Sequence, residues 1–306
     1  MNVLTFCLLM STFIWSVTWQ REILVLYLTV LGVYLALSLY FQRYSVMSFA
    51  RKVQIAAYSE TGDPSCYARI PIDLTAVDSF LEKYNGENPD LKLTYTHIAL
   101  KAVGEAMSVK KKINGKLCFG NFVPLESVDV SVLVDVEGEN LLNVLVSGAN
   151  KHSLRELAQQ IKGKIRKVKE KKDPELNHQM KMLSGLPTFL VELIFNATAF
   201  ISYNLGLSIK ALKVKPNSFG TAVVTNITGS GIYDVYAPHV NFCRSVVLAA
   251  VNDSRMLPVV TENGGIEPRK MLNFNITFDH RFADGSDAMH MLSKCKDVWL
   301  NPEKYL

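Results

Sequence analysis

The sequence predicts one large domain of mixed strands and helices behind an apolar N-terminal helix, and three observations carry that expectation. Residues 23–41, ILVLYLTVLGVYLALSLYF, contain no charge. As a helix they rise about 28 Å, near the thickness of a bilayer's hydrocarbon core. Residues 272–279 alternate, with Leu272, Phe274, Ile276 and Phe278 on one side and Asn273, Asn275, Thr277 and Asp279 on the other. That is a strand with one face in a core. After a turn, Ala288, Met291 or Leu292, Cys295 and Trp299 recur at helical spacing, with Ser286 as a candidate N-cap. Ser153 followed by Glu156 is a capping box, and Leu154, Leu157, Ile161, Ile165 and Val168 make the buried stripe of the helix it opens.

Composition narrows the class. The chain has 306 residues, 49% of them apolar, and a net charge of +5. With the anchor set aside, enough chain remains for one large domain or two small ones. The mild charge permits contact with anionic lipid or phosphate and does not single out nucleic acid. Five scattered cysteines form no CxxC pair, and no histidine cluster has metal-ligand spacing, so no metal site is expected. Free thiols point to a reducing compartment.

In chain order, residues 1–42 read as a membrane anchor with its span at about 23–41, and residues 43–306 as the folded domain. Arg43, Arg51 and Lys52 follow the apolar run, while Arg21 offset by Glu22 precedes it. The charge rule therefore places a single-pass protein's domain on the cytoplasmic side. Residues 2–19 leave a second span open. Sequons at Asn196, Asn226, Asn252 and Asn275 read as chance matches, since Asn226 and Asn275 fall beside the candidate site described below.

Residues 48–68 hold a short helical part and a Gly-Asp-Pro turn, and residues 69–74, containing Pro71, read as an edge strand. Residues 77–84 are expected to be helical. Thr96 is expected to cap the next helix, which presents Leu100, Val103 and Met107, and Lys110 to Lys112 end it where the helix dipole favours cations. A hairpin is expected around Asn114-Gly115. Strands at 128–136 and 141–146 precede the capping-box helix, whose lysine-rich outer face suits solvent or anionic lipid. Residues 186–212 are a second apolar excess, interrupted by Glu192, two asparagines and Pro187, and read as one or two packed helices. Strands follow at 219–224 and 244–251. Residues 253–255 and 263–265 bound a further hairpin.

The 272–279 strand runs directly into Asp279-His280-Arg281, with Asp284 and Gly285 after it. A histidine held at the end of a buried strand suits a general base. On spacing alone, a charged turn closing a strand–helix unit, with His280 merely hydrogen-bonded and Asp284 capping the helix, is the better-favoured reading.

DHRFADG resembles the DHRxxDG signature of the 2-oxoacid dehydrogenase acyltransferase (E2) catalytic domain, a family that shares its fold with chloramphenicol acetyltransferase. Four further segments resemble that family in the same order: 93–103, 128–134, 153–162 and 219–232 (FGTAVVTNITGSGI). The closest likeness is to stand-alone, single-domain relatives. The resemblance implies an α/β (α+β) two-layer sandwich, here with an N-terminal transmembrane helix and an apolar helical insertion at about 186–212. It also implies coenzyme A or acyl-CoA as co-substrate and a homotrimer with active sites between subunits.

By the same resemblance His280 is the general base and Thr225 stands where the family has an oxyanion-donating serine. Asp284 is structural support, and Asn226 and Gly285 shape the loop beside the cofactor. His239 corresponds to a packing or intersubunit position. One family residue is missing: an arginine of the opening helix braces this aspartate elsewhere, but here the run reads Ile55-Ala56-Ala57-Tyr58, leaving Arg51 as a candidate substitute. No lipoyl-type domain precedes the catalytic-like region. The implied function is transfer of an acyl group from coenzyme A, or from a lipoyl-type thioester, to an acceptor that the sequence does not specify. Its rivals are a non-catalytic trimeric scaffold at a membrane, which the missing arginine favours, and a lipoyl acyltransferase serving a separate carrier.

Overall fold

The computed structural model describes residues 8–14, 21–45, 48, 55, 63–136, 140–169, 186–210, 214–240 and 242–306. Helix α1 spans Arg21–Gln42. The domain follows with β1 (Ser65–Asp73), α2 (Thr75–Glu87), α3 (Tyr95–Ser108), β2 (Gly115–Cys118), β3 (Asn121–Pro124), β4 (Val130–Val136), β5 (Asn140–Val146) and α4 (Leu154–Lys169). Next come α5 (Thr188–Ala199), a π-turn (Phe200–Asn204), β6 (Ala222–Asn226), β7 (Val247–Val260), β8 (Ile266–Asp279) and α6 (Gly285–Leu300).

Six strands form one mixed sheet in the order β1-β8-β7-β6-β4-β5, and β2 and β3 form a separate hairpin. The β4–β6 and β6–β7 pairs are parallel and the others antiparallel. β1 lies at the sheet edge, as Pro71 requires. The apolar side chains of β8 share one core with those of α3 and α6, which pack on each other. Trp299 and Phe274 lie with ring centroids 5.4 Å apart, both buried. Each contributes on the order of 2–3 kcal/mol through burial.

The other face of the sheet is covered by an extended segment. Asn275 Nδ2 donates to Asp234 Oδ1 at 2.7 Å, Thr277 Oγ1 to the Ala237 carbonyl at 2.9 Å, and Val235 N to Asn252 Oδ1 at 2.8 Å. Asn252 and Asn275 are thereby buried, which leaves no room for sugar at either sequon.

Several local expectations shift. The α3 cap is Thr94, not Thr96, in a capping box with His97 at the third helical position. Of the two candidate caps for α6, Asp284 serves and Ser286 does not: the Asp284 side chain accepts from Asp287 N. The hairpin turn falls at Phe119-Gly120 rather than Asn114-Gly115, because Asn114 is buried. Its Nδ2 donates to the carbonyls of Leu125 and Ser127, and its Oδ1 accepts from Thr221. Residues 253–255 do not end a strand: β7 runs through them to Val260, with a bulge between Val251 and Ser254. The Ser153–Glu156 capping box forms in both directions. Most of the opening helical part and Arg51 lie outside the described residues.

Candidate active site

β8 delivers His280 into a tightly tied turn. The chain leaves the strand with Asp279 N donating to the Val246 carbonyl and His280 N to the Pro64 carbonyl, both at 2.9 Å. Asp279 is buried and folds the turn around itself. Arg281 grips its carboxylate through Nε at 3.0 Å and through a terminal nitrogen at 2.6 Å, and Arg281 N donates to the same group at 2.8 Å. A bidentate charged pair fixes direction as well as position. Phe282 and Ala283 are buried just beyond, and Phe282 meets Phe122 of β3 edge-on at 5.9 Å. His280, half-buried, therefore sits on backbone held from both sides.

Asp284 and Asp287 begin α6, where negative charge suits the helix dipole. Lys112 Nζ lies 3.7 Å from Asp284 Oδ2 and 2.7 Å from Asp287 Oδ2, and Lys110 Nζ lies 3.0 Å from Asp287 Oδ1. Burial opposes ionisation of Asp287, yet the bonds from Lys112 and Lys110 outweigh it and hold the carboxyl below its usual range. These lysines were expected to serve the C-terminus of their own helix. α3 stops at Ser108, and they reach across to the next helix's start. Asp284 thus has a cationic partner in Lys112.

Thr225 occupies the C-terminal end of β6, half-buried. Gly220 allows that strand its place: with φ +68° it passes Asp129 so closely that a Cβ would fall 2.2 Å from the Asp129 carbonyl oxygen. Thr225 is level with Ala250 of β7, and Ala250 with Asn275 of β8. Thr225 therefore shares the face that carries Asn275, Thr277 and Asp279. His280 lies five positions farther along and two strands across, roughly 19 Å away by strand geometry. One chain does not bring the two together.

Asn226 is fully engaged in its own loop, with Nδ2 donating to Thr96 Oγ1 at 2.7 Å and Oδ1 accepting from Thr228 N at 2.8 Å. Gly285 is exposed, and a Cβ there would meet nothing within 4 Å, so this chain alone does not demand glycine.

A cavity of about 520 Å³ lies against the same turn. Asp279 and Arg281 line it, with Tyr203, His239 and Arg244, whereas His280, Thr225 and Asp284 do not. Burial lowers the His239 pKa, and its Nδ1 lies 3.5 Å from Ser245 Oγ. Tyr203, Arg244 and Ser245 carry no local motif in the sequence; alternation around Asp279-His280-Arg281 was the one available hint that the turn has a second side. Among the described residues no group of histidine, cysteine and carboxylate side chains is arranged to hold a metal.

Comparison with known proteins gives the family. The profile of the 2-oxoacid dehydrogenases acyltransferase (catalytic domain) matches residues 47–179 and 207–306. The chain belongs to this family. The unmatched interval between the two pieces holds α5 and the π-turn.

The dihydrolipoyllysine-residue succinyltransferase component of the 2-oxoglutarate dehydrogenase complex of Rickettsia typhi is 25% identical over 240 residues, 77% of this chain and 49% of that protein. The lipoamide acyltransferase component of the branched-chain alpha-keto acid dehydrogenase complex of Bacillus subtilis is 25% identical over 248 residues, 78% of this chain and 47% of that one. The chain thus spans about half the length of these curated relatives. Among solved structures, a probable dihydrolipoamide acetyltransferase from Listeria monocytogenes aligns with a TM-score of 0.57 and 18% identity, covering 85% of this chain and 93% of that one. The Azotobacter vinelandii dihydrolipoamide acetyltransferase, studied for the catalytic role of a serine, a histidine and an asparagine, aligns with a TM-score of 0.57 and 19% identity over 83% and 90%.

Proposed function

We propose that this protein is a membrane-anchored, homotrimeric acyltransferase that moves an acyl group from coenzyme A, or from a lipoyl-type thioester, to a nucleophilic acceptor. The observation that carries this reading is the rigid delivery of His280 at the end of β8, together with a hydroxyl at Thr225 near the end of β6 in the same sheet, roughly 19 Å away by strand geometry. Two copies in a closed ring would complete one site, His280 from one and Thr225 from the next. In the Azotobacter protein the histidine and asparagine under study stand four residues apart, as His280 and Asp284 do.

His280 takes the proton of the attacking thiol, hydroxyl or amine as that group adds to the thioester carbonyl. The Thr225 hydroxyl donates to the resulting oxyanion. Collapse of the tetrahedral adduct breaks the carbon–sulfur bond, and the leaving thiolate recovers the proton from the imidazolium. Asp284 touches neither reactant. With Asp287 and the two lysines it fixes the start of α6 and hence the turn. Acyl-CoA is a substrate in this scheme. The Asn226 amide, committed to Thr96 and Thr228, braces the oxyanion loop rather than contacting it.

Helix α1 serves as the single-pass anchor. It is long and apolar enough to cross a bilayer, none of its apolar window is buried, and Leu26 and Leu39 are 64% exposed. The positive charges that follow it, Arg43, Arg51 and Lys52, support a cytoplasmic domain. The deciding test is turnover of acyl-CoA by the full chain in nanodiscs, over a range of acyl lengths and with thiol, hydroxyl and amine acceptors. Activity that disappears in His280→Ala supports the assignment. A well-folded trimer that neither binds nor turns over any acyl-CoA would instead be a scaffold.

A further inference from the structure

Helix α1 does not stand apart from the domain. Its last turns dock on the tip of the β2–β3 hairpin, where Phe119 adopts a φ of 50°. The Phe119 ring stacks on Phe41 at 5.7 Å and meets Tyr34 edge-on at 5.8 Å. Ser38 Oγ donates to the Phe119 carbonyl at 3.1 Å, and Asn121 Nδ2 donates to the Ser38 carbonyl at 3.0 Å. Phe119 also meets Phe200 edge-on at 5.9 Å. Phe200 begins the π-turn, which is itself fastened to β2. Lys116 Nζ donates to the Tyr203 carbonyl at 2.8 Å, and Leu117 N donates to the Tyr203 hydroxyl at 3.2 Å. Phe200 and Leu207 remain 44% and 55% exposed.

The position of these contacts along α1 matters. Arg43 is the first charge after the apolar run, flanked by exposed Tyr40 and Tyr44, the pattern of a membrane–water boundary. Phe41 and Tyr34 lie two and nine residues to the apolar side of Arg43, roughly 3 and 14 Å along the axis. Phe119, packed on both, falls at the ~5–10 Å depth reached by interfacial apolar groups. Shifting the boundary to keep the hairpin in water leaves only residues 21–33, about 20 Å of helix against a ~30 Å core. Helical residues 8–14 do not extend the span, because the Phe13 ring packs 5.2 Å from Tyr27.

We infer that the hairpin tip at Phe119 and the corner at Phe200 and Leu207 form a foot that sinks into the lipid surface beside α1. The domain then stands on the bilayer in a fixed orientation instead of swinging on a tether. Asn196, Tyr203 and Asn204 of the same inserted segment line the cavity against Asp279 and Arg281, so that side of the turn lies near lipid. The inference rests on the proposal that α1 is a span.

The test is photocrosslinking of the full chain in phosphatidylcholine nanodiscs, with benzoyl-phenylalanine placed in turn at Phe200, Leu207, Leu28 and Lys296. Leu28 reports the span, and Lys296 is an exposed position on α6. Lipid adducts at Leu28, Phe200 and Leu207 but not at Lys296 are expected. Adducts at Leu28 without adducts at Phe200 and Leu207 would overturn the foot while leaving the span intact. Absence of adducts at Leu28 would remove the span and the foot together.

Discussion

The two walls of the candidate site are held by different forces. At the His280 wall, charge does the holding: Asp279 is gripped by Arg281, and Asp284 and buried Asp287 face Lys110 and Lys112. At the Thr225 wall the bonds are neutral. Asn226 ties to Thr96 and Thr228, and Ile227 N donates to the Val251 carbonyl. Buried charges are costly to orphan, whereas a neutral hydrogen bond is worth about 1 kcal/mol net. The first wall should therefore fail steeply when one partner is lost, and the second should loosen gradually. A general base needs a fixed ring, which suits it to the stiffer wall.

Substitutions can break or sharpen that contrast. The largest effect is expected from His280→Ala, which should lower acyl transfer by about 10²–10⁴-fold without changing the melting temperature. Thr225→Ala should lower kcat by about 10²-fold, with Thr225→Ser recovering most of it, since only the hydroxyl is needed. Lys110→Met with Lys112→Met strands the buried Asp287 carboxylate and should cost about 3 kcal/mol in urea unfolding. Adding Asp287→Asn should return much of that loss, an outcome peculiar to a charge clamp. On the neutral side, Asn226→Ala should cost only about 1 kcal/mol.

Acid stability offers a gentler probe of the α3 helix beneath the Thr225 wall. Burial pushes the His97 pKa down to about 4. The unfolded chain then binds a proton below about pH 6.5 that the folded chain resists until about pH 4. Stability from this group is therefore present at neutral pH and lost as pH falls through that window. His97→Gln keeps the capping box with Thr94 and should flatten this part of the acid limb in thermal melts between pH 4 and 6.5.

Much of the fold was legible because its elements repeat at simple periods. The alternation of residues 272–279 and the stripe of Ala288, Met291, Cys295 and Trp299 follow directly from one-sided burial. The DHRFADG turn could be located because strand and helix meet there. What stayed hidden depends on partners distant in sequence. Lys110 meets Asp287 across 177 positions, so no local rule could assign it. The Thr94 cap was masked by a second threonine two residues on and by histidine in the position usually taken by Glu or Gln. The hairpin turn was misplaced because Asn114, a turn former by type, is consumed by the core, while Phe119 holds a left-handed backbone among aromatic rings. The family resemblance implied that Thr225 and His280 come from different subunits, but their separation within one chain could be sized only once the strand register was known.

That separation is the central claim, and mixed oligomers test it most directly. His280→Ala and Thr225→Ala chains, each inactive alone, would be co-expressed with distinct tags, and doubly tagged trimers would be isolated and assayed for acyl-CoA turnover. If each site takes His280 from one subunit and Thr225 from its neighbour, every doubly tagged trimer regenerates one intact site of its three, and activity reappears at about a third of the wild-type level. If the mixed trimers remain as inactive as either parent, the two residues do not cooperate across a subunit boundary, and the intersubunit site is wrong.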